Sequence, residues 1–510
     1  MSFSSVLSAS IQGLKVEFVH VEADLSNGLP AFHMVGYLSS EVKEAAERVR
    51  TAIRNSGLDF PAKKTVINLS PATMRKRGAA FDLPIAAAVL LSLGMFSQES
   101  VKGMLLIGEL GLDGSVKEVP GILPIVMEAR DAGVQVCVVP LKNAPEGALV
   151  EGIRVIGAGS LKEVVGFLTG ALKLEPCPYP KEKMGTVDQE LLDYSDVQGQ
   201  ESVKRAAEVA AAGGHSLLLV GPPGSGKSMV AKRIASIFPP MTMEESMEIT
   251  KIYSIMGLVD QESPLIRTRP FRDVHHTATK AALIGGGLIP SPGEISLAHG
   301  GVLFLDELPE FQKSVLEVLR QPLEEHQIRI SRSYGNYVFP ANFMLVSAMN
   351  PCPCGCYPDF ERCTCTPGQI QNYLGKISQP FLDRMDICVE APKVKYEALK
   401  GGARQESSAQ IRERVCRARK IQNHRYKGTR IMTNAMLDVK ELETYCHLGK
   451  EENQLMERAF STLRLTARTY HKILKVARTI ADLEGVQEIS AVHIKEAIGY
   501  RTMDKKYWGR

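Results

Sequence analysis

The residues most suited to chemistry form a glycine-rich turn with the sequence GPPGSGKS, which begins at Gly221 and ends at Ser228. The apolar run before this turn predicts a buried strand, and the amphipathic pattern after it predicts a helix. That order is typical of a P-loop, in which backbone N–H groups and a helix dipole hold phosphate oxygens. A chance glycine turn is the alternative, but here every position of the motif is filled and the flanking segments fit. We therefore predict a nucleotide site made of Gly221, Pro222, Pro223, Gly224, Ser225, Gly226, Lys227 and Ser228.

A pair of carboxylates, Asp306 and Glu307, follows a second apolar run, Val302 to Leu305. In a parallel sheet, ligands bind where the strands end. Lys227 would reach the β- and γ-phosphates, and the Ser228 hydroxyl and Asp306 would hold Mg²⁺. Glu307 would polarise the attacking water. Alone, the carboxylate pattern also fits a surface turn after a strand. Together with the P-loop it predicts hydrolysis of ATP with Mg²⁺ as cofactor.

Five cysteines lie close together in the sequence PCPCGCYPDFERCTC. Thiolates at such short spacing can bind one Zn²⁺ tetrahedrally, although the spacing here is C-x-C and not the favoured C-x₂-C. The alternative is a loop of reduced thiols. The residues predicted to ligate zinc are Cys352, Cys354, Cys363 and Cys365.

The length and composition indicate a multidomain protein of ordinary globular character. A chain of 510 residues is expected to form about two to four domains. No apolar run is long enough to span a bilayer, and the first residues do not have the pattern of a signal peptide, which indicates a cytoplasmic protein without membrane partners. Residues 391–510 contain 25 Lys and Arg against 14 Asp and Glu, a net charge of +11. This excess fits an anionic polymer as partner or, equally, a helical subdomain with solvated cations.

The secondary-structure patterns divide the chain into four parts. Alternating strands and amphipathic helices predict a mixed α/β domain over residues 1–173, and the proline-containing text after it predicts a linker over 174–195. The P-loop region occupies 196–395. Helical patterns fill 396–510, and the last long apolar stripe is closed by Gly485.

Two short segments, GAAFD ending at Asp82 and PGIL ending at Leu123, carry a family resemblance. The first domain resembles that of the ComM/YifB family of magnesium-chelatase-like ATPases, which is similar to the proteolytic domain of Lon-type proteases. Such proteases have a serine and a lysine at the matching places, where this chain has Ala80 and Leu123. Neither residue can act as nucleophile or base. The resemblance implies a catalytically dead Lon-like domain that is a scaffold or contacts protein partners.

The region around the P-loop resembles AAA+ ATPases from its entry helix, DVQGQESVKRAAEVAAAGG, onward. The resemblance implies that Asn350, at the end of NFMLVSAMN, is the first sensor of the γ-phosphate. A turn asparagine before Pro351 is the alternative.

Two arginines acquire roles from the same resemblance. Arg384, in the motif LDRMD, resembles an arginine finger, which supplies positive charge to the nucleotide of a neighbouring subunit. A local pair between Arg384 and Asp386 is the alternative. Arg468 matches the second sensor arginine, which contacts phosphates from the lid, with Arg478 as another candidate.

Two insertions resemble those of magnesium chelatases and MCM-type helicases. The first is a helix-2 insert within RPFRDVHHTATKAALIGGGLIPSPGEIS, and the second is a pre-sensor-1 hairpin within QIRISRSYGNYVFPANF. In the helicase branch both point into a central pore, where cations and aromatic rings contact a nucleic acid strand. A structural hairpin with an exposed charged face is the alternative. The residues expected to contact DNA are Arg329, Arg332, Tyr334 and Tyr337.

The resemblance covers nearly the whole chain and predicts an α/β multidomain fold. It comprises a Lon-protease-like α/β N-terminal domain, an AAA+ P-loop αβα core with the two insertions, and an α-helical C-terminal lid. It implies a homohexameric ring that uses ATP to translocate on or remodel DNA, as a helicase or branch-migration motor in natural transformation. A chelatase-like ATPase that remodels a protein partner without nucleic acid is the alternative. A peptidase motor is a third interpretation, which Ala80 and Leu123 oppose.

Overall fold

The computed structural model describes residues 3–179, 192–332, 335–394, 405–463 and 465–508. Most of the segment predicted as a linker, and the start of the segment predicted as the lid, lie outside these ranges. Residues 174–179 remain close to the first sheet, since the Cys177 N–H donates to the Val155 carbonyl at 2.8 Å.

A sheet of seven strands organises the N-terminal part, in the order β3-β4-β2-β1-β5-β8-β9, with β6 and β7 as a separate hairpin. Over much of their length the long strands β1 and β2 alternate fully buried and less buried residues, as expected for an antiparallel pair with one face on a core. The strands are β1 (Phe3–Gln12), β2 (Lys15–Ser26), β3 (Ala31–Val35), β4 (Lys64–Ser70), β5 (Met104–Leu106), β6 (Glu109–Leu110), β7 (Val116–Lys117), β8 (Val136–Pro140) and β9 (Arg154–Ala158).

One helix of this part, α3, is apolar on all sides and fully buried against β1 and β2. The others are α1 (Ser40–Lys43), α2 (Ala45–Asn55), α4 (Ile122–Asp131), α5 (Ala144–Gly147) and α6 (Leu161–Thr169), with α3 spanning Asp82–Ser92. Asp82 at the start of α3 receives a bidentate ion pair from Arg48, with contacts of 2.7 and 3.0 Å. The GAAFD segment thus supplies a buried structural carboxylate beside Ala80.

A second sheet of five parallel strands has the order β11-β14-β17-β10-β18. Its central strands are buried apolar runs, as expected for a parallel sheet covered on both faces. Two hairpins stand outside it, β12 with β13 and β15 with β16. The strands are β10 (Leu217–Val220), β11 (Phe271–Val274), β12 (Gly285–Gly286), β13 (Ser291–Pro292), β14 (Val302–Leu305), β15 (Gln327–Arg332), β16 (Gly335–Pro340), β17 (Met344–Met349) and β18 (Ile387–Glu390).

One group of helices precedes or connects these strands, and a second group follows the last strand. The connecting helices are α7 (Glu201–Gly213), α8 (Lys227–Arg233), α9 (Met243–Ile255), α10 (Lys280–Ile284), α11 (Glu294–Leu297), α12 (Lys313–Leu316), α13 (Arg320–Glu325), α14 (Pro367–Gly375) and α15 (Gln379–Leu382). The C-terminal helices are α16 (Ser408–Arg425), α17 (Val439–Tyr445), α18 (Lys450–Leu463), α19 (Ala467–Glu484), α20 (Ala491–Gly499) and α21 (Thr502–Trp508). Helix α19 ends at Gly485 in the left-handed conformation, as its sequence predicts.

None of the helices in the described ranges is both long and apolar enough to cross a bilayer.

The N-terminal part contacts the P-loop part through helices α4 and α9. Glu146 is buried there, and its carboxylate accepts from the Leu123 N–H at 2.9 Å and from the Ser254 hydroxyl at 2.5 Å. The Gly121 N–H donates to the Ser254 carbonyl at 2.9 Å. The segment that would carry a protease lysine therefore forms part of the contact with the core.

We expect this contact to be more stable in mild acid, because burial raises the pKa of Glu146 above its ordinary value. The folded chain then holds this proton more tightly than the unfolded chain. The resulting stabilisation is complete below the unfolded pKa of about 4.3 and is lost as the pH rises through the folded pKa. The difference in Tm between the natural chain and Glu146→Gln should therefore fall as the pH rises above about 4.3 in differential scanning fluorimetry. The exposed Glu128 on α4 is the matched control, and a difference that grows with pH would contradict the expectation.

Candidate nucleotide site

The second sheet brings the predicted nucleotide residues to one edge. The P-loop follows β10, Asn350 follows β17, and Asp306 follows β14, and these three strands are parallel neighbours. Their carboxyl ends therefore meet, with Asn350 between the other two. The register places Gly221 beside the end of β17, where its N–H donates to the Met349 carbonyl at 3.1 Å.

The P-loop has the shape of a phosphate cradle. Gly224 and Gly226 have φ values of +74° and +86°, and a Cβ at either position would face open space. Only glycine adopts this region without strain, and the resulting turn lets successive N–H groups face one concavity. The cradle and the side chains beside it fit a magnesium nucleotide.

Lys227 lies within this cradle at the start of α8. Its ammonium donates to the carbonyls of Gly221 at 2.7 Å and Pro222 at 2.9 Å, and to the Asn350 amide oxygen at 3.1 Å. Burial lowers the pKa of Lys227, and the charge of Asp306 opposes that change. The predicted phosphate lysine and the predicted first sensor are thus in direct contact.

The pair predicted to hold Mg²⁺ is also assembled. The Ser228 hydroxyl donates to the Asp306 carboxylate at 2.6 Å, so the two oxygens lie where one cation could bind both. The other carboxylate oxygen of Asp306 accepts from the Glu307 N–H at 2.8 Å. Glu307 has a φ of +52°, a sparsely populated region for a residue with a side chain, and its carboxylate is 61% exposed. The strained backbone turns Glu307 away from the strand it follows.

Sequence reasoning missed one member of the site, His276. Its Nδ1 lies 3.4 Å from the Glu307 carboxylate, and its ring contacts that of His275 with centroids 4.1 Å apart. His276 follows β11, the edge strand beside β14. The same rule that places Asp306 at the end of β14 could have found His276, but the strand FRDV is too polar to be recognised as buried.

We expect His276 to influence turnover through the orientation of Glu307. His276→Ala should change steady-state phosphate release by about threefold to tenfold, because removal of the ring beside the Glu307 carboxylate alters which rotamer Glu307 adopts. The affinity for a fluorescent ATP analogue should change by less than about twofold, because the contacts found for the His276 ring are with His275, Glu307 and Phe311 and not with the P-loop. His275→Ala is the matched control, since the His275 ring bonds to Thr277 and not to Glu307. Equal effects of both changes would assign the loss to the loop and not to Glu307.

Arg384 lies at the amino ends of the strands, whereas the P-loop lies at their carboxyl ends. Its carbonyl accepts from the Ser216 hydroxyl at 2.7 Å, and Ser216 precedes β10 whereas the P-loop follows it. The guanidinium is 8% exposed and pairs with Glu324 at 2.5 Å. The alternative of a local pair with Asp386 is not found in the described ranges, because Asp386 pairs with Lys472 at 2.7 Å.

Arg468 lies near Arg384 and not above the P-loop of its own chain. Burial lowers the pKa of Arg384, the charge of Glu324 opposes that change, and the charges of Arg320 and Arg468 lower it further, so the two cations Arg384 and Arg468 lie close to each other. Helix α19 carries Arg468 at its first turn and Lys472 at its second. The other candidate, Arg478, is buried and bonds to Asp482 and to the carbonyls of Val486 and Gln487. Arg478 is therefore structural.

Asp386 fixes the helix that carries Arg468 to the strand that follows Arg384. Its carboxylate accepts from the Ser216 N–H at 3.1 Å and pairs with Lys472. Although burial acts to raise it, the charge of Lys472 holds the pKa of Asp386 well below its usual range. The second aspartate of LDRMD is thus a buried anchor between the sheet and the C-terminal helices.

The four cysteines predicted to bind zinc come together directly after Asn350. Their sulfur atoms all lie within 4.8 Å of one another. Cys356, the fifth cysteine of the stretch, lies outside this group, and its thiol contacts the Cys354 carbonyl at 3.7 Å.

The hairpin predicted within QIRISRSYGNYVFPANF is confirmed as β15 and β16, with Arg332 opposite Gly335. It lies beside the predicted helix-2 insert, because Arg332 Nε donates to the Gly287 carbonyl at 3.5 Å. Arg329 is 60% exposed and lies 3.6 Å from Glu325. Both arginines are open to solvent, as a DNA-contacting role requires.

The two tyrosines of the hairpin do not support the same expectation. Tyr334 lies outside the described residues. Tyr337 is only 8% exposed, contrary to the expectation that its ring is offered to a strand. It packs against the turn between β1 and β2, where a Cβ on Gly13 would lie 2.8 Å from the Tyr337 ring. Contact with the N-terminal part has buried the ring.

Three family models match successive parts of the chain. The model described as "Subunit ChlI of Mg-chelatase" matches residues 21–143, that of "Magnesium chelatase, subunit ChlI" matches 193–399, and that of its C-terminal region matches 405–501. A more distant relative, the magnesium-chelatase 67 kDa subunit of Chlorobaculum parvum, is 27% identical over 167 residues, which cover 32% of this chain and 24% of that protein.

Two relatives match almost end to end. Competence protein ComM of Haemophilus influenzae is 43% identical over 509 residues, covering 99% of this chain and 98% of that protein. Protein YifB of Salmonella typhimurium is 42% identical over 510 residues, with the same coverage. With the P-loop, Asp306 and Asn350 at one edge of a five-stranded parallel sheet, this similarity shows that the chain belongs to the ComM/YifB family of magnesium-chelatase-like AAA+ proteins.

Proposed function

We propose that the chain is an ATPase whose copies form a ring and share each nucleotide site between neighbours, and that the ring acts on DNA. The observation that carries the ATPase proposal is the pairing of Ser228 with Asp306 and of Lys227 with Asn350 at one sheet edge, with Glu307 beside them. ATP would supply the phosphoryl group, and Mg²⁺ would supply positive charge that balances the phosphates.

The side chains then have distinct tasks. Lys227 exchanges its carbonyl partners for phosphate oxygens, and Asn350, already 3.1 Å from Lys227, orients the γ-phosphate end of the site. Ser228 and Asp306 would hold the Mg²⁺ ion, which would supply positive charge to the phosphates. Glu307 orients and polarises the attacking water, a role that needs a carboxylate within hydrogen-bond reach of the water.

The proposal of a ring rests on the position of Arg384. Strand β10 has four residues, so its two ends are about 13 Å apart, and Arg384 is at the end away from its own P-loop. An arginine there serves a nucleotide only when a second copy brings its P-loop edge to that face. Arg468, on the same surface, would join it. A closed ring of identical copies repeats this contact at every interface, and we propose a hexamer.

The DNA proposal rests on three features. Arg329 and Arg332 are exposed on the hairpin, the insert lies beside them, and residues 391–510 have a net charge of +11. The relative named competence protein ComM fits a role with DNA taken up during natural transformation.

We further propose that residues 1–173 form a Lon-like scaffold without peptidase activity, that 174–195 link it to a core over 196–395, and that 396–510 form the lid.

Turnover in the presence of DNA tests this function. We expect single-stranded or branched DNA to raise phosphate release at least about threefold at 50 mM salt, with stimulation declining steeply as salt rises because binding releases counterions. Unchanged turnover together with undetectable DNA binding at low salt would refute the DNA role and leave the ATPase role standing.

A paired change on the hairpin tests where DNA binds. Arg329→Ala with Arg332→Ala should weaken binding of single-stranded DNA and reduce the slope of log affinity against log salt by about 1.4, the value for two lost phosphate contacts. Fluorescence anisotropy over a salt series measures both quantities. Arg154→Ala with Lys162→Ala removes the same charge from the exposed surface of the N-terminal part and is the control. An equal reduction of affinity and slope in that control would show that the effect comes from the loss of net charge and not from contacts at the hairpin.

The alternative function is remodelling of a protein partner without nucleic acid. Two observations favour it: the partial match to a magnesium-chelatase subunit, and the burial of Tyr337, which removes one stacking group from the hairpin. Under this alternative, turnover is insensitive to DNA at every salt concentration. The DNA titration above therefore separates the two functions.

A further inference from the structure

We propose that Cys352, Cys354, Cys363 and Cys365 bind one structural Zn²⁺, and that this ion fixes the loop that supports the P-loop from outside the nucleotide site. The first argument is the spacing of the sulfur atoms. A Zn–S distance of about 2.3 Å in a tetrahedron requires sulfur atoms about 3.8 Å apart. Three separations are 3.4 Å for Cys352–Cys354, 3.6 Å for Cys354–Cys363 and 3.8 Å for Cys352–Cys363.

The chemistry of the donors favours zinc in a closed site. Four thiolates complete a tetrahedral shell and leave no position for water or substrate, which is the arrangement of structural zinc and not of catalytic zinc. The sulfur separations exceed a disulfide bond length of about 2.05 Å by more than 1 Å, and all four cysteines are free. The C-x-C spacing that made the sequence signal weaker is accommodated because the two C-x-C pairs approach each other across the loop.

The loop reaches the P-loop directly. Gly355, between the second and third cysteines of the stretch, has a φ of +78°, and a Cβ there would lie 2.2 Å from Pro223 Cδ. Pro223 is the third residue of the P-loop. Asn350, which contacts Lys227, lies only two residues before Cys352. A metal at the four sulfur atoms would therefore set the positions of both Asn350 and the outer wall of the P-loop.

The other side of the loop rests on the end of the chain. The ring of Tyr357 contacts that of Tyr507 in α21 with centroids 5.9 Å apart. Trp508 Nε1 donates to the carbonyl of Leu374 in α14, the helix that follows the cysteines. The zinc site thus joins the sensor strand, the P-loop and the last helix, three segments that are far apart in the sequence.

The test is a metal count on full-length protein purified under reducing conditions. Inductively coupled plasma mass spectrometry should give about one zinc per chain for the natural sequence and for Cys356→Ser, the control in the same loop. Cys363→Ser with Cys365→Ser, which changes two of the three partly buried ligands, should fall below about 0.2. Cobalt loaded in place of zinc should give thiolate charge-transfer and tetrahedral d–d bands, which tests the site in the natural chain if the double variant does not fold. Less than about 0.2 zinc per chain in the natural sequence, iron with sulfide instead of zinc, or full zinc in the double variant would overturn the proposal.

The effect of zinc on the P-loop is measured in a separate experiment. This part of the proposal rests on the proposed nucleotide site. Removal of zinc by a chelator should weaken binding of a fluorescent ATP analogue about threefold to tenfold, and re-addition of zinc should restore it. Unchanged affinity with zinc fully removed would overturn the supporting role while leaving the metal site intact. Lys227→Ala distinguishes the two proposals, because that chain should lose nucleotide binding and still contain about one zinc.

Discussion

Replacement of Glu307 by glutamine is expected to lower ATP turnover at least about 100-fold while nucleotide affinity changes by less than about threefold. A positioned carboxylate that polarises or deprotonates the attacking group contributes about 10²–10⁴ in rate. Glutamine keeps the size and the hydrogen-bonding reach of the side chain but not its charge. Binding should survive because the proposed phosphate contacts belong to Lys227 and the P-loop and not to Glu307. Phosphate release and titration with a fluorescent ATP analogue measure the two quantities.

The matched control for this change is Glu310→Gln. Glu310 lies three residues further along the chain, and its exposed ion pair with Lys376 at 3.2 Å contributes little to stability. Turnover of the control should stay within about twofold of the natural chain. A Glu307→Gln enzyme that retains more than about a third of natural turnover would show that another group handles the water.

The edge of the sheet could be predicted because its strands are recognisable one at a time. Each of the runs before Gly221, Asp306 and Asn350 is apolar and buried on both faces, and a parallel arrangement brings their carboxyl ends together. The cysteine group could also be predicted, since its members are neighbours in the sequence. Each of these features is encoded in a short stretch of sequence that can be interpreted without knowledge of the rest of the fold.

Other features depend on contacts between distant segments. The burial of Tyr337 is caused by the turn at Gly13, more than 300 residues earlier, so no local pattern on the hairpin could reveal it. The motif LDRMD suggested a role for Arg384, but only the register of β18 beside β10 shows which edge it occupies. His276 was missed for a third reason, because β11 is a short edge strand with two charged residues.

Mixing two inactive variants is expected to restore turnover if Arg384 serves a neighbouring nucleotide. Arg384→Ala should reduce turnover by about 10³-fold or more, the range for loss of an arginine finger, and Lys227→Ala should do the same through the phosphates. In a mixed ring, an Arg384→Ala copy provides an intact P-loop and a Lys227→Ala copy provides an intact finger. With equal amounts and random assembly, about a quarter of the interfaces combine the two, so turnover should approach a quarter of the natural value.

The control is a chain that carries both changes. Mixed with Arg384→Ala, it contributes no finger and no P-loop, so no interface is complete and turnover should remain at the level of the single variant. Rescue in the first mixture and not in the second would establish a site shared between copies. An absence of rescue at every ratio, with both variants shown to enter the same ring by size-exclusion chromatography, would place the role of Arg384 within its own chain.

The ion pair between Arg384 and Glu324 refines this expectation. The guanidinium now pairs with Glu324 at 2.5 Å, and it must leave that carboxylate to approach a phosphate on the next copy. Glu324 is about half exposed, so its charge can be removed without opening a cavity. Glu324→Gln should therefore maintain or raise turnover, in contrast to the loss expected for Arg384→Ala. If Arg384 acted only as a structural partner of Glu324, both changes would lower turnover together, because either one breaks the same pair.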